Sequence, residues 1–219
     1  MRFKPALLVL LLPVLGALVP ARGALIYSLE SDGPWQSTAG STWLAQSFST
    51  GAAPMTLNSV SVWIRNASEN NGFSVPSSMN LWLYAADINN KPTGSALYTV
   101  FSGYGFGAWA DEKPVATSLN YSLSANTTYL LVMQGSSGGT LGWKYPTATS
   151  PTSSISPTPT FYNWRSTDSG STWSDAAPTA GFNMIVNATA APVPEPGTWA
   201  AAALLIGGAG VMRWRKRQE

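Results

Sequence analysis

The sequence predicts an all-β fold, a two-sheet antiparallel sandwich of jelly-roll type. Three observations predict it. Apolar residues alternate with polar or aromatic ones at period 2: Val60, Val62 and Ile64 against Ser61, Trp63 and Arg65, and Met79, Leu81, Leu83 and Ala85 against Asn80, Trp82, Tyr84 and Ala86. Turn signals punctuate the chain at Asp32-Gly33-Pro34, Asn70-Asn71-Gly72, Asn89-Asn90-Lys91-Pro92, Gly138-Gly139 and Asp168-Ser169-Gly170. No stretch of the body keeps a 3.6-residue period. Further strands are expected at Leu25–Leu29, Trp43–Ser49, Ala96–Phe101, Val115–Tyr121, Tyr129–Gln134, Thr140–Tyr145, Thr160–Arg165 and Phe182–Val186. About ten short strands in a body of this size suit a sandwich.

The two ends have a different character. Arg2 and Lys4, the apolar run Ala6–Leu18 and the small residues of Ala21-Arg22-Gly23 form the three regions of a secretory signal peptide. Such a segment is delivered by the Sec machinery and cut by signal peptidase, here between Gly23 and Ala24. This divides the chain into a leader over 1–23, a body over 24–190 and a tail over 191–219.

The tail itself has three parts. Val193-Pro194-Glu195-Pro196-Gly197 interrupts regular structure and leaves the backbone accessible to a processing enzyme. The uncharged run Thr198–Met212 follows, expected as a single transmembrane helix. At ~1.5 Å per residue it reaches about 22 Å, short of the ~30 Å hydrocarbon core. Trp199 and Trp214 suit interface depth, and the basic cluster Arg213, Arg215, Lys216 and Arg217 holds the C-terminus in the cytoplasm.

Composition excludes several functions. The formal charge of +2 arises from basic residues crowded at the ends. Between Ala24 and Ala191 five basic residues face eight acidic ones, a net charge of −3, which argues against a nucleic-acid partner. Histidine and cysteine are absent, so neither a Ser-His-Asp nor a Cys-His site can be assembled, and zinc lacks its usual ligands. A glycosidase-type carboxylate pair is the enzyme option left. Asp111 and Glu112 are adjacent, so on a strand they point to opposite faces. The expectation is no enzyme, no catalytic residue, no cofactor and no catalytic metal. A structural calcium would find oxygen ligands at Asp87-Ile88-Asn89-Asn90 or near Asp175, although Asp and Asn are also ordinary turn residues.

Three features of the body stand out. From Pro146 to Thr160, thirteen of fifteen residues are Pro, Ser or Thr, which predicts an exposed loop without regular structure. The mature body holds eight tryptophans. Trp63, Trp82 and Tyr84 stand opposite the aliphatic stripes of their strands. They either line an outer face able to stack on sugar rings or build a second apolar face of the fold. Four Asn-X-Ser/Thr sequons begin at Asn66, Asn120, Asn126 and Asn187; in a bacterial protein they are incidental.

Resemblances to known families extend this reading. The tail, from Val193-Pro194-Glu195-Pro196 through Gly197-Thr198-Trp199-Ala200 to Arg213-Trp214-Arg215-Lys216-Arg217, resembles the PEP-CTERM sorting signal of Gram-negative bacteria that make exopolysaccharide. The resemblance covers about an eighth of the chain. It implies recognition by exosortase, a membrane protease-transferase, with the precursor in the inner membrane and the product in the cell envelope, at the cell surface or in a biofilm matrix. The body segments Ala45–Gly51, Leu57–Val62 and Leu123–Val132, with Trp143, resemble the choice-of-anchor extracellular domains, most nearly the one labelled R. That resemblance implies a β-sandwich and no established activity. Ser166-Thr167-Asp168-Ser169-Gly170-Ser171-Thr172-Trp173 is similar to the Asp-box hairpin of secreted β-proteins, which implies a structural role for Asp168, Gly170 and Trp173. The function expected is that of an exported envelope or matrix protein with a structural or adhesive sandwich; the alternative is a carbohydrate-binding module for exopolysaccharide.

Overall fold

Two central strands of a six-stranded sheet bury side chains on both faces, and that sheet sets the architecture. A computed structural model describes residues 23–30, 33–66, 78–105, 111–135, 140–145, 151–155, 161–176 and 181–190. Residues 1–22 of the leader over 1–23, the sorting motif Pro194-Glu195-Pro196, the apolar run 198–212 and the basic cluster 213–217 lie outside the described residues. Among the described residues the chain is all-β, without a helix, and no helix there is long and apolar enough to cross a membrane.

The strands are β1 (Gly23–Leu29), β2 (Trp35–Ala39), β3 (Trp43–Ser49), β4 (Met55–Val62), β5 (Ile64–Asn66), β6 (Ser78–Ala86), β7 (Pro92–Gly105), β8 (Asp111–Glu112), β9 (Val115–Ala116), β10 (Tyr121–Leu123), β11 (Thr128–Gly135), β12 (Thr140–Lys144), β13 (Asn163–Ser166), β14 (Ser174–Asp175) and β15 (Met184–Ala190). They form three antiparallel sheets. One runs β1-β15-β4-β10, with β9 also on β4; the second runs β14-β13-β3-β11-β6-β7; the third runs β2-β12-β5-β8. The first two share a core. Ile26, Leu57, Val60, Val62, Met184 and Val186 come from one, and Leu44, Phe48, Met79, Leu81, Leu83, Leu131 and Met133 from the other, all buried. Ile64, Leu141 and Trp143 of the third sheet join the same cluster. Fully burying each large aliphatic side chain contributes about 1.5–3 kcal/mol, so this sandwich core is the main source of stability.

The predicted alternation holds over Met79–Tyr84, whereas on β4 Ser61 is buried along with Val60 and Val62, and the run there changes partner. Val60, Val62 and Ile64 are buried while Arg65 is exposed, as period 2 requires. Yet the run is two strands. At Trp63 the backbone N–H donates to Asn183 O (3.1 Å), and the Trp63 carbonyl accepts from Lys144 N (3.0 Å). The chain thereby leaves β15 for β12 and crosses between sheets without losing its parity. Residues 115–121, read as one strand, are likewise two, β9 and β10, separated by Ser118 at φ 58°. Short β2, β8 and β14 were not anticipated.

Two local devices shape β1. A bulge between Leu25 and Tyr27 leaves Ile26 out of the register, and both Ile26 and Tyr27 are buried. β1 is also a sheet edge, the kind of exposed ladder that invites pairing with another chain. Here the Pro/Ser/Thr-rich segment corrects its expected description as a free exposed loop. Within its described part Pro151 is buried, Thr152 exchanges two backbone bonds with Ser28 (2.8 and 2.9 Å), and Ser154 N donates to Leu25 O (2.9 Å). Serine and threonine here supply a ladder cap for the edge of β1.

Two of the three body segments that carry the family resemblance are spatial neighbours. β3 and β11 pair from Ser49↔Thr128 to Trp43↔Gln134. At the end of that ladder Thr50 Oγ1 donates to Ser124 O (2.6 Å) and accepts from Thr127 N (2.9 Å), which closes the turn around Asn126 at φ 48°.

Buried contact is tightest at Gly181. A Cβ there would lie 2.5 Å from the Tyr27 hydroxyl and 3.0 Å from Gln46 Oε1. Gln46 is itself fixed, because that oxygen accepts from Phe182 N (2.7 Å) and its Nε2 donates to Ser47 O (3.0 Å). Gly181→Ala is therefore expected to lower the unfolding free energy by about 1–3 kcal/mol through overpacking, measured by urea denaturation followed by tryptophan fluorescence. An unchanged midpoint would show that the Tyr27 ring yields freely.

Candidate aromatic surface site

The outer face of the six-stranded sheet carries the densest chemistry in the described residues. Strand parity builds it. On β6 the stripe Met79, Leu81, Leu83 enters the core, so Trp82, Tyr84 and Ala86 take the opposite face. On β11 Leu131 and Met133 go inward and Leu130 and Val132 outward. On β3 Leu44 and Phe48 go inward while Trp43 and Ala45 go outward. Register then aligns a row of outward residues directly opposite one another: Trp164, Ala45, Val132 and Trp82. Ala45 is the small member; with Leu130, Val132 and Trp164 it forms a buried cluster against which Trp43, Trp82, Tyr84 and Trp173 pack.

Contacts fix those rings. Trp43 and Trp82 meet with centroids 5.3 Å apart, and Tyr162 stacks near Trp164 at 6.5 Å. Trp164 Nε1 donates to Asn90 O (2.6 Å). Lys91 Nζ lies 5.0 Å from the Trp164 centroid and donates to Trp173 O (3.0 Å), so one cation ties the β6–β7 turn to the β13–β14 hairpin.

That hairpin is the Asp-box-like segment, and side-chain hydrogen bonds close its turn. Asp168 Oδ1 accepts from Thr172 N (2.8 Å) and from Ser166 Oγ (2.7 Å), and Asp168 Oδ2 accepts from Thr172 Oγ1 (2.6 Å). Ser166 Oγ also accepts from Gly170 N (2.8 Å). Ser169 N donates to Ser41 O (2.9 Å), which anchors the turn to the start of β3. Gly170 has φ +84°, and a Cβ on it would lie 2.8 Å from Trp43 Cζ3. The glycine serves the turn and also lets the Trp43 ring lie against it.

A cleft of about 350 Å³ opens between this hairpin and the β6–β7 turn. The rings of Trp43, Tyr84 and Trp173 line it, with Thr93, Ser169 and Ser171 among its polar neighbours. Burial raises the Tyr84 phenol above its ordinary pKa, so the ring enters the cleft as a neutral hydroxyl.

The sequence-predicted sugar-stacking residues fall in two places. Trp82 and Tyr84 share the aromatic face. Trp63 sits at the junction of β4 and β5, where Lys113 Nζ lies 3.9 Å from its ring centroid and 3.0 Å from Glu30 Oε1. The three therefore do not form one platform; the switch of sheets at Trp63 separates them. Trp43 and Trp164 were missed. The signal for Trp43 was present, because it shares parity with Ala45 opposite Leu44 and Phe48 in a strand whose bounds were read correctly. Gly23 and Ala24 pair with Thr189 and Ala188 at the start of β1.

The acidic groups do other work. Asp87 Oδ1 accepts from Asn89 N and Lys91 N (both 2.8 Å), an Asx turn at the proposed calcium position. Those bonds lower its pKa, that from Lys91 most. Asp175 lies on β14, and among the described residues no three acidic groups converge. Asp111 contacts Lys144 at 2.5 Å and Arg65 at 3.6 Å, and Glu112 accepts from the Tyr104 hydroxyl (3.3 Å).

No protein-family profile matches the chain, and no curated protein matches it. Among solved structures, "Structure of infectious bursal disease virus Gx strain" is similar at 10% identity and a TM-score of 0.31, over 87% of this chain and 48% of that one. The chain thus spans about half the length of that viral protein.

Two outcomes test the hairpin. Gly170→Ala forces a side chain into the left-handed region and against Trp43, and is expected to cost about 1–2 kcal/mol, read as a shift of the urea midpoint. Asp168 has its pKa lowered to about 2, chiefly by the Thr172 hydroxyl. A carboxylate depressed in the folded state contributes stability above its unfolded value of about 3.9 and loses it as pH falls through about 2. Wild type should therefore lose stability between about pH 4 and pH 2 more steeply than Asp168→Asn, measured by denaturation at stepped pH. Parallel curves would remove Asp168 from the acid response.

Proposed function

We propose that this chain is an exported protein of a Gram-negative bacterium, sorted by exosortase to the cell envelope or exopolysaccharide matrix. Its body over 24–190 serves there as a non-catalytic structural or adhesive sandwich of jelly-roll type. The single observation that carries the reading is the order of parts at the C-terminus: Pro194-Glu195-Pro196, then the apolar run Thr198–Met212, then Arg213, Arg215, Lys216 and Arg217. The N-terminal signal pattern ending at Gly23 agrees with it. In this reading the body is a choice-of-anchor domain, and the precursor is held in the inner membrane until exosortase acts. The nucleophile belongs to that partner.

Two features of the body support a non-catalytic role. It lacks histidine and cysteine. Its acidic side chains also have evident folding duties: Asp87 and Asp168 organise turns, Asp111 neutralises Lys144, and Glu30 pairs with Lys113. The second reading, a carbohydrate-binding module, is favoured by Trp82 and Tyr84 standing with Trp43 and Trp173 on one sheet face beside an open cleft.

Replacing Glu195 with Ala is expected to leave full-length precursor in the inner membrane, detected by fractionation and immunoblotting, with the body still digested by protease added to spheroplasts. A variant trimmed and sorted like wild type would make the tail a plain membrane anchor. A body protected from the protease would overturn export itself.

A further inference from the structure

We infer that the cleft between the β13–β14 hairpin and the β6–β7 turn binds one neutral pyranose unit of a polysaccharide, held mainly by the hydroxyls that line it, with the partly exposed rings of Tyr84 and Trp173 at its border. This deepens the carbohydrate-binding reading above. It moves the site off the Trp63, Trp82, Tyr84 platform that the sequence suggests, and it does not depend on how the chain is sorted.

Three observations carry the inference. The first is size. A cleft of about 350 Å³ lies at the low end of small-molecule sites, which run from ~300 to ~1,000 Å³. It suits one sugar ring better than an extended peptide, which needs a long groove. The second is the pairing of surfaces. A pyranose presents C–H groups on its faces and hydroxyls around its rim. The cleft answers the rim more than the faces: its accessible surface is mostly polar, the hydroxyls of Tyr84, Thr93 and Ser169 make no hydrogen bond among the described residues, Ser171 donates to Asp168 O (2.9 Å) and keeps its acceptor capacity, and the partly exposed rings of Tyr84 and Trp173 add a smaller apolar area. Among the described residues no carboxylate, ammonium or guanidinium lines the cleft. A uronate or a phosphorylated sugar would meet no countercharge there, so the ligand is neutral.

The third observation is rigidity. Binding is strongest where little must be ordered beforehand. The hairpin wall is fixed by the Asp168 bonds to Thr172 and Ser166 and by Ser169 N to Ser41 O. Trp43 is held between Trp82 and Gly170, and the Trp173 backbone is held by Lys91. The rings are therefore set before the ligand arrives. A single sugar subsite of this kind binds weakly, and many copies along a polymer would raise the avidity.

The test is affinity electrophoresis of the full chain in detergent through gels containing neutral glucans, galactans or mannans, with a polyuronate as the anionic comparison. Binding to the same polymers is then titrated by tryptophan fluorescence. At least one neutral polymer should retard the chain. Thr93→Trp, an exposed position at the cleft, should abolish the retardation by filling the space. Tyr84→Phe, which removes only the hydroxyl, should weaken binding by about two- to tenfold, and Trp173→Ala by up to about tenfold. Val115→Ala, exposed on the other sheet, should bind as wild type. The inference is overturned if no neutral polymer retards the chain, if only the polyuronate or a proline-rich peptide binds, or if both Thr93→Trp and Tyr84→Phe bind like wild type. Because Glu195→Ala reads sorting alone, a failed cleft and a failed sorting signal give separate results.

Discussion

The pairing of β3 with β11 is the contact on which the rest depends. Seven successive residue pairs, Ser49↔Thr128 to Trp43↔Gln134, form the middle of the six-stranded sheet. One side of that ribbon carries Leu44, Phe48, Leu131 and Met133 into the sandwich core. The other carries Ala45, Leu130 and Val132, also buried, under the tryptophans. A strand with a single buried face tolerates a polar outer side. These two strands hold polar side chains only where hydrogen bonds satisfy them, as at Gln46 and Ser47, because water is excluded from both faces. Their register is correspondingly well specified, since a slip of one residue would exchange the core stripe for the aromatic one.

This two-sidedness explains what was and was not legible in the sequence. Parity assigned Met79, Leu81 and Leu83 to the core and put Trp82 and Tyr84 on the reverse face, because a half-apolar strand declares its period. Both rings pack on the second apolar cluster of the fold; Trp82 is partly covered by Trp43, and Tyr84 also borders the cleft. Trp63 was misjoined to them for a physical reason. Alternation reports which side of a strand a residue occupies and is blind to which sheet the strand has entered. At Trp63 the partner changes from β15 to β12 while the alternation runs on unbroken. The bulge at Ile26 was invisible for the converse reason. It breaks the alternation inside a run whose residues are apolar on either side, so no polar residue marks the slip.

The Asp-box hairpin was the most legible local structure, since Asp168, Gly170 and Thr172 each have one geometric duty within eight residues. Its consequence beyond the turn was not legible. Gly170 appears to need only its positive φ, yet the missing Cβ is also what admits the Trp43 ring, more than a hundred residues earlier in the chain. Sequence spacing records the turn and says nothing of that contact. Lys91 has the same character: a turn residue by sequence, it reaches across to Trp164 and to the Trp173 carbonyl.

The distribution of engaged and unengaged groups then constrains what the body's surface can recognise. The described acidic side chains along the strands and turns are largely taken up by lysines, backbone amides or hydroxyls. Lys144 is buried against Asp111, Lys113 lies between Glu30 and the Trp63 ring, and Lys91 is held by Trp164 and Trp173. Such a surface offers little free charge with which to select an ionic partner or to poise a proton. The groups left with capacity at the cleft are aromatic faces and hydroxyls. Recognition there must come from shape, apolar contact and neutral hydrogen bonds. Individually these are modest, about 0.5–1.5 kcal/mol each, and they favour a repeated neutral ligand over a single tightly held ion. A protein displayed in many copies beside a polymer is the setting in which contacts of that strength are sufficient.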